Sequence, residues 1–204
     1  MNMNELLNQQ IDQCVSALLK GQVVAFPTET VMGLGVVFNN KEAYELLNQI
    51  KCRPEDKPYT MMVSGITEIS KYAFIDEKAQ KVIDKYMPGS LTILLKAKEN
   101  VPGYVTHNSG VIGIRVPTNE EAIELLKRIG IPLLVPSANK SGEKPAINSE
   151  QVKAIFNGQI GAIIDGVSKG EIPSTIIDLS KNNLILLRKG PISFEEILNT
   201  YYEN

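Results

Sequence analysis

Apolar runs rich in valine, isoleucine and leucine recur along this chain, and segments with helical spacing separate them. "QVVAF" (22–26), "YTMMV" (59–63), "SLTILLKA" (90–97) and "VIGIRVP" (111–117) read as strands. So do 132–136, "AIID" (162–165), "TIIDL" (175–179) and "LILLRKG" (184–190). Leu7, Ile11, Cys14, Val15 and Leu18 share one face of a first helix, which Gly21 ends. Further helices are predicted at about 41–50, near 66–72 and 76–86, over "NEEAIELLKRIG" (119–130), at 149–156 and near 193–202. The alternation is not strictly regular, and some strands follow one another closely. The product is a twisted mixed sheet, part parallel and part antiparallel, flanked by helices. With 204 residues, 43% of them hydrophobic, the chain can bury a real core, expected at about 10–195 of a single 1–204 domain.

Composition excludes several functions. A net charge of -2 and a pI of about 5.6 give no strong general affinity for nucleic acid, although a local basic patch stays open. Two distant cysteines, Cys14 and Cys52, make no disulfide framework and suit a reduced cytoplasmic setting. The polar N-terminus is not that of a signal peptide, and no apolar run approaches a membrane span. A single histidine, His107, leaves little scope for a zinc site or a histidine triad. An enzyme built from this inventory works through charge and positioning.

Polar residues spaced two apart recur where apolar segments end. Thr28 and Thr30 follow the strand 22–26; Lys51 and Arg53 precede Pro54; Ser137 and Asn139 follow Pro136. In extended chain each pair shows one face, while Glu29, Cys52 and Ala138 face away. Ligands of α/β sheets gather at strand ends, and these pairs, with Lys57, Arg115 and Arg188, suit a small polyanion. Each piece also has a plainer reading. Thr-x-Thr is ordinary β-propensity, Lys-x-Arg complements a helix dipole, and Ser-x-Asn is turn chemistry. Arg115, inside an apolar strand, is either a ligand contact or half of a structural ion pair.

Phosphate loops of the G-x-x-x-x-G-K-[ST] and G-x-G-x-x-G kinds are absent from the sequence. Gly33 and Gly35 of "VMGLG" serve either close backbone approach to a ligand or a tight turn. Cys52 reads as a buried, inert thiol and His107 as an exposed loop residue.

The segments "FPTETVMGLG", "KCRPEDKPYTMMV", "PGSLTILLKA", "GVIGIRVP", "VPSANKSGEKP", "PSTIID" and "ILLRKGPIS" resemble, in order, the YrdC/TsaC-like threonylcarbamoyl-AMP synthases. The likeness runs from about residue 20 to 191. It implies the YrdC-like α/β fold with a concave, basic cleft, in the short form without an additional C-terminal domain. It also implies condensation of L-threonine, bicarbonate and ATP into threonylcarbamoyl-adenylate with release of diphosphate, a nucleotidyl transfer. The product would serve threonylcarbamoyladenosine modification of tRNA through a separate transfer complex. Mg²⁺ would arrive on the triphosphate, with no protein-ligated metal.

Carried over by motif, Thr30, Arg115, Val135 and Ser174 fall at threonine-binding positions. Lys51 and Arg53 match a K-x-R pair facing the phosphates, with Lys57 close by. Ser137 and Asn139 match the S-x-N pair at the nucleotide, Lys144 and Pro145 a loop near ATP, and Arg188 a phosphate contact. Met62 stands where many members have histidine, and Met32 replaces a frequent tyrosine. The competing readings are a module that binds tRNA or double-stranded RNA in the same cleft, and a carbamoyl-transfer relative with another substrate.

Overall fold

A computed structural model of the chain describes residues 2–53, 58–170, 172–181 and 183–203. The strands are β1 (Val24–Phe26), β2 (Gly33–Val37), β3 (Thr60–Met62), β4 (Leu91–Lys96), β5 (Val111–Arg115), β6 (Leu133–Leu134), β7 (Ala162–Ile163), β8 (Thr175–Asp178) and β9 (Ile185–Arg188). The helices are α1 (Met3–Leu19), α2 (Lys41–Lys51), α3 (Ile69–Tyr72), α4 (Glu77–Tyr86), α5 (Gly103–Thr106), α6 (Glu120–Ile129), α7 (Ser149–Ile155) and α8 (Phe194–Tyr202). The strands form a nine-stranded sheet in the order β7-β1-β2-β6-β3-β5-β4-β8-β9. It is mixed: β7/β1, β3/β5 and β4/β8 pair in parallel and the other neighbours antiparallel. Among the described residues no helix is long and apolar enough to cross a membrane.

Local sequence sets the helix ends. Asn40, Asp76, Asn119 and Asn148 each accept a backbone N–H of the first turn through the side chain, and Asn2 closes a capping box with Glu5. Gly130 ends α6 at φ 66°, the conformation glycine adopts most readily.

Side-chain alternation divides the core between the two faces. Val24, Phe26, Met62, Leu133 and Val135 pack with Ile11, Cys14 and Leu18 of α1 and Leu125, Leu126 and Ile129 of α6. Their neighbours Val23, Ala25, Met61 and Leu134 turn to the other face, packing with residues of α2, α4, α7 and α8. On β4, β5 and β8 the residues Leu91, Ile93, Ile112, Ile114 and Ile177 also belong to that second layer. The alternate residues Thr92, Arg115 and Ile176 instead line a cleft. The site therefore lies on the sheet face that α1 and α6 cover only at one end.

The sequence reading missed β2. Gly33 and Gly35 lie within this fully buried strand, not in a turn. A Cβ on Gly33 would come within 2.8 Å of Val135 Cγ1, and one on Gly35 within 2.8 Å of Phe26 Cε1. Glycine at both positions makes room for neighbouring core side chains, although Gly33 also reaches the cleft wall. The short helix α5 was not anticipated either. His107, which ends it at φ 50°, is half-buried, with Nε2 2.9 Å from the Tyr44 hydroxyl, so it is not a bare loop residue. Cys52 is exposed, contrary to the expectation of a buried thiol, because it ends α2 in the left-handed conformation.

Candidate functional site

The cleft opens to solvent, and together with the solvent at its mouth it takes in about 650 Å³. Its lining includes Thr28, Thr30, Arg53, Met62, Thr92, Arg115, Val135, Ser137, Ser174 and Arg188. No aspartate or glutamate appears among the described lining residues. Hydroxyls and guanidiniums dominate, a set suited to carboxylate and phosphate.

Register explains how distant motifs converge. Met62 on β3 lies beside Arg115 on β5, and Ile176 on β8 pairs with both Thr92 on β4 and Arg188 on β9. Thr28 and Thr30 come from the turn after β1, Ser137 follows β6, and Ser174 precedes β8.

At one end, polar groups form a directed chain. Arg115 donates through Nη2 to Thr30 Oγ1 at 3.0 Å, and the Thr30 and Thr28 hydroxyls are 3.0 Å apart. Thr28 in turn donates to the Val31 carbonyl at 2.7 Å, so the Thr30 hydroxyl points its proton at Thr28. Arg115 also donates through Nη2 to Glu29 Oε1 at 2.6 Å and through Nε to the Gly89 carbonyl at 3.3 Å. The ion-pair reading of Arg115 thus holds, and the same guanidinium still lines the cleft. Glu29 was expected to face away. The chain bends at 29–31, so strand alternation no longer governs it.

Arg188 stands opposite. It donates through Nε to the Ser174 carbonyl at 2.9 Å and through Nη2 to Ser174 Oγ at 3.1 Å, and Ser174 Oγ lies 2.8 Å from Thr92 Oγ1. Burial, then the positive charge of Arg115, lower the Arg188 pKa from its ordinary value. An arginine remains charged at neutral pH despite such a shift. Two facing guanidiniums make this end of the cleft a place for an anion.

Around Arg53 the cleft is partly aromatic. Its guanidinium lies 4.3 Å from the Tyr59 ring centroid, and Nη2 donates to the Pro58 carbonyl at 2.8 Å. Arg53→Ala is expected to weaken binding of a phosphate-bearing ligand 10- to 150-fold in a folded protein, since a charge-assisted contact contributes about 1.5–3 kcal/mol. Calorimetric titration with a nucleoside triphosphate beside far-UV circular dichroism checks this. Unchanged affinity would remove Arg53 from the site.

Other expected phosphate contacts sit elsewhere. Lys51 is 1% exposed and outside the cleft lining. Its Nζ donates to the carbonyls of Ser137 at 2.6 Å and Asn139 at 2.7 Å. Burial, then the charges of Arg53 and Lys140, lower its pKa from 10.5 to about 7. It ends α2 and does not continue as extended chain, which separates its direction from that of Arg53. Asn139 is also buried: it accepts from Ser137 Oγ at 2.6 Å and donates to the carbonyls of Lys140 and Glu143. Lys51 and Asn139 hold the strand end from behind, while Ser137 shows at the front. Lys144 and Pro145 line a separate, mostly apolar groove with Ala146, Ile147 and Ile155. Lys57 lies outside the described residues.

The family model Sua5_yciO_yrdC, described as "Telomere recombination", matches residues 16–190. The chain belongs to this family. Threonylcarbamoyl-AMP synthase of Bacillus subtilis is 34% identical over 191 residues, covering 92% of this chain and 55% of that protein. YciO of Escherichia coli, described as uncharacterized, is 32% identical over 182 residues, covering 88% of each. The crystal structure of Pyrococcus abyssi Sua5 complexed with L-threonine superposes with a TM-score of 0.89 at 33% identity, over 95% of this chain and 57% of that one. The chain thus spans about half the length of the Bacillus subtilis and Pyrococcus abyssi proteins and most of YciO. The helix-flanked mixed sheet expected from the sequence is the family's fold.

Proposed function

We propose that this chain is an L-threonylcarbamoyladenylate synthase, a nucleotidyltransferase condensing L-threonine, bicarbonate and ATP. The observation that carries the reading is the cleft, where Arg53, Arg115 and Arg188 converge with Thr30, Thr92, Ser137 and Ser174. Its support is membership of a family whose relatives include proteins named for this activity.

The reaction brings anions together. Threonine's neutral amine and bicarbonate form a carbamate with loss of water, and the carbamate oxygen attacks the α-phosphorus of ATP and expels diphosphate. Fixed cations reduce the repulsion between carbamate and triphosphate and stabilise the charge that develops on the transferring group. In this reading Arg53, Ser137 and Arg188 face the nucleotide, while Thr30, Met62, Arg115, Val135 and Ser174 enclose the amino acid. Lys51 and Asn139 act on Ser137 from behind. Mg²⁺ enters with the triphosphate as part of the substrate. Positioning can contribute up to about 7–11 kcal/mol in favourable cases, so no covalent enzyme intermediate is required. The product would pass to separate transfer proteins that modify tRNA in the cytoplasm.

Incubation with ATP, bicarbonate and a panel of amino acids tests the reading by mass spectrometry of diphosphate and adenylates. A threonine-dependent adenylate is expected. No adenylate with any amino acid would overturn it.

A second reading, the same chemistry on another substrate, is favoured by Met62. Its side chain is 1% exposed, packs with Phe26 and Val135, and offers the cleft a thioether where a polar group would give direction. Threonine and serine are therefore expected to differ in kcat/KM by only about 10- to 200-fold, the range one methyl group allows. Competing rates at saturating ATP and bicarbonate decide it. Discrimination far above that range would require a polar reader of the side chain.

A further inference from the structure

Among the described residues three arginines line the cleft, and each is held by a different kind of group. Arg115 pairs with the Glu29 carboxylate, and Arg188 donates to the carbonyl and hydroxyl of Ser174. Arg53 lies against an aromatic ring, its guanidinium carbon 4.3 Å from the Tyr59 centroid. Tyr59 belongs to the cleft wall, yet it is almost wholly covered.

That ring is fixed in place. The Tyr59 hydroxyl donates to Asn48 Oδ1 at 2.6 Å, and the Tyr44 ring meets it in a T, with centroids 5.6 Å apart. Asn48 also accepts the Arg53 backbone N–H through its carbonyl at 3.0 Å. One residue of α2 thus sets both the root of the Arg53 side chain and the ring on which that side chain rests. At its tip, Arg53 Nη2 donates to the carbonyl of Pro58, the residue before Tyr59, at 2.8 Å. Burial raises the Tyr59 pKa above its ordinary value, with the charge of Arg53 acting against it, so the hydroxyl keeps its proton for Asn48.

A ring does for a cation what a carboxylate cannot. A carboxylate takes up N–H donors and cancels the charge. A ring face attracts the guanidinium, while the donors lie in the guanidinium plane and stay directed sideways. The cation is located and keeps its charge for an anion. A residue serving only the core at position 59 would need neither a flat face toward Arg53 nor a bond to the residue that anchors Arg53.

We propose that Tyr59, locked by Asn48, is a positioning residue that sets the Arg53 guanidinium for a phosphate group in the cleft. This rests on the reading of Arg53 as a phosphate contact. Tyr59 acts through Arg53 and not on the ligand.

Calorimetric titration with inorganic diphosphate and with ATP, beside far-UV circular dichroism, tests it. Tyr59→Leu is expected to weaken both probes alike, by about 5- to 30-fold, the upper range of a cation–π contact. Tyr59→Phe keeps the ring and should bind both within about threefold of wild type. In an Arg53→Ala background Tyr59→Leu should change either affinity by less than about 1.5-fold, because the ring then has no cation to hold. If the leucine variant does not fold, phenylalanine with added ring fluorines at position 59 keeps the shape and drains the negative face. Diphosphate affinity should then fall with each fluorine when Arg53 is present and stay level when it is alanine. Equal losses with and without Arg53 would overturn the inference. Loss confined to ATP, with diphosphate unchanged, would assign the ring to the nucleotide base and overturn it as well. An Arg53→Ala protein with unaltered affinities, or wild-type protein that binds neither probe, would bring down the phosphate reading of the cleft, and this inference with it.

Discussion

Arg115→Ala is expected to destabilise the fold by about 3–5 kcal/mol and to abolish amino-acid binding. Removing one partner of a buried ion pair leaves the other as an uncompensated charge, and Glu29 would be that charge. Thr30 and the Gly89 carbonyl would lose a donor at the same time. Two further variants separate stability from recognition. Arg115→Met combined with Glu29→Gln removes both charges and should recover a substantial part of the loss, since apolar replacement of a whole buried pair is often neutral. Arg115→Lys keeps a charge but not the planar fork, so it should remain folded while the apparent KM for threonine rises about tenfold and that for ATP changes little. Urea midpoints and steady-state kinetics give both readouts. A lysine variant with normal threonine dependence would leave Arg115 with a structural role alone.

Much of the fold was legible because a buried strand needs an apolar run whatever packs on it. "SLTILLKA" and "VIGIRVP" became the interior antiparallel pair β4/β5, the first trimmed by one residue at each end and the second by two at its C-terminal end. β2 escaped because its first turn of sequence, "GLG", lowers the strand signal. The reason for those glycines, close neighbours at Val135 and Phe26, exists only in three dimensions. The cleft was legible to the same degree. Thr30, Ser137, Ser174 and Arg188 stand at strand ends, where a sheet presents polar groups to ligands, and Arg115 was conspicuous as a charge in an apolar strand. Glu29 and Lys51 were misread for one shared reason. Period-two alternation was extended past the strands, into a bend at 29–31 and into the last turn of α2. Both residues proved to support the cleft from behind or beside it, a role that no spacing rule encodes.

Lys51→Met should weaken both the strand end and nucleotide use, and its signature is pH dependence. The ammonium joins the end of α2 to the carbonyls of Ser137 and Asn139, and the thioether cannot donate to either. The Ser137 carbonyl keeps the Asn139 N–H at 3.1 Å, whereas the Asn139 carbonyl loses its donor, at a cost of about 1–3 kcal/mol. Ser137 would then shift at the cleft wall, and ATP use should fall more than tenfold. The sign of the pH effect follows from the lowered pKa. In the folded protein burial brings Lys51 down to about 7 from the ordinary 10.5, so between those values the unfolded chain holds a proton that the folded one has released. Folding is penalised for burying the ammonium below about pH 7, and stability rises with pH across the window by up to about 1.4 kcal/mol per unit. The methionine variant lacks that contribution, so the wild type should gain on it steadily between pH 7 and 10. Below pH 7 both folded and unfolded lysine are charged, and the difference should level off. Urea denaturation of both proteins at unit pH intervals measures it. A difference that stays flat through the window would show that the two carbonyls keep Lys51 protonated, and the strand end would then be held by a permanent cation.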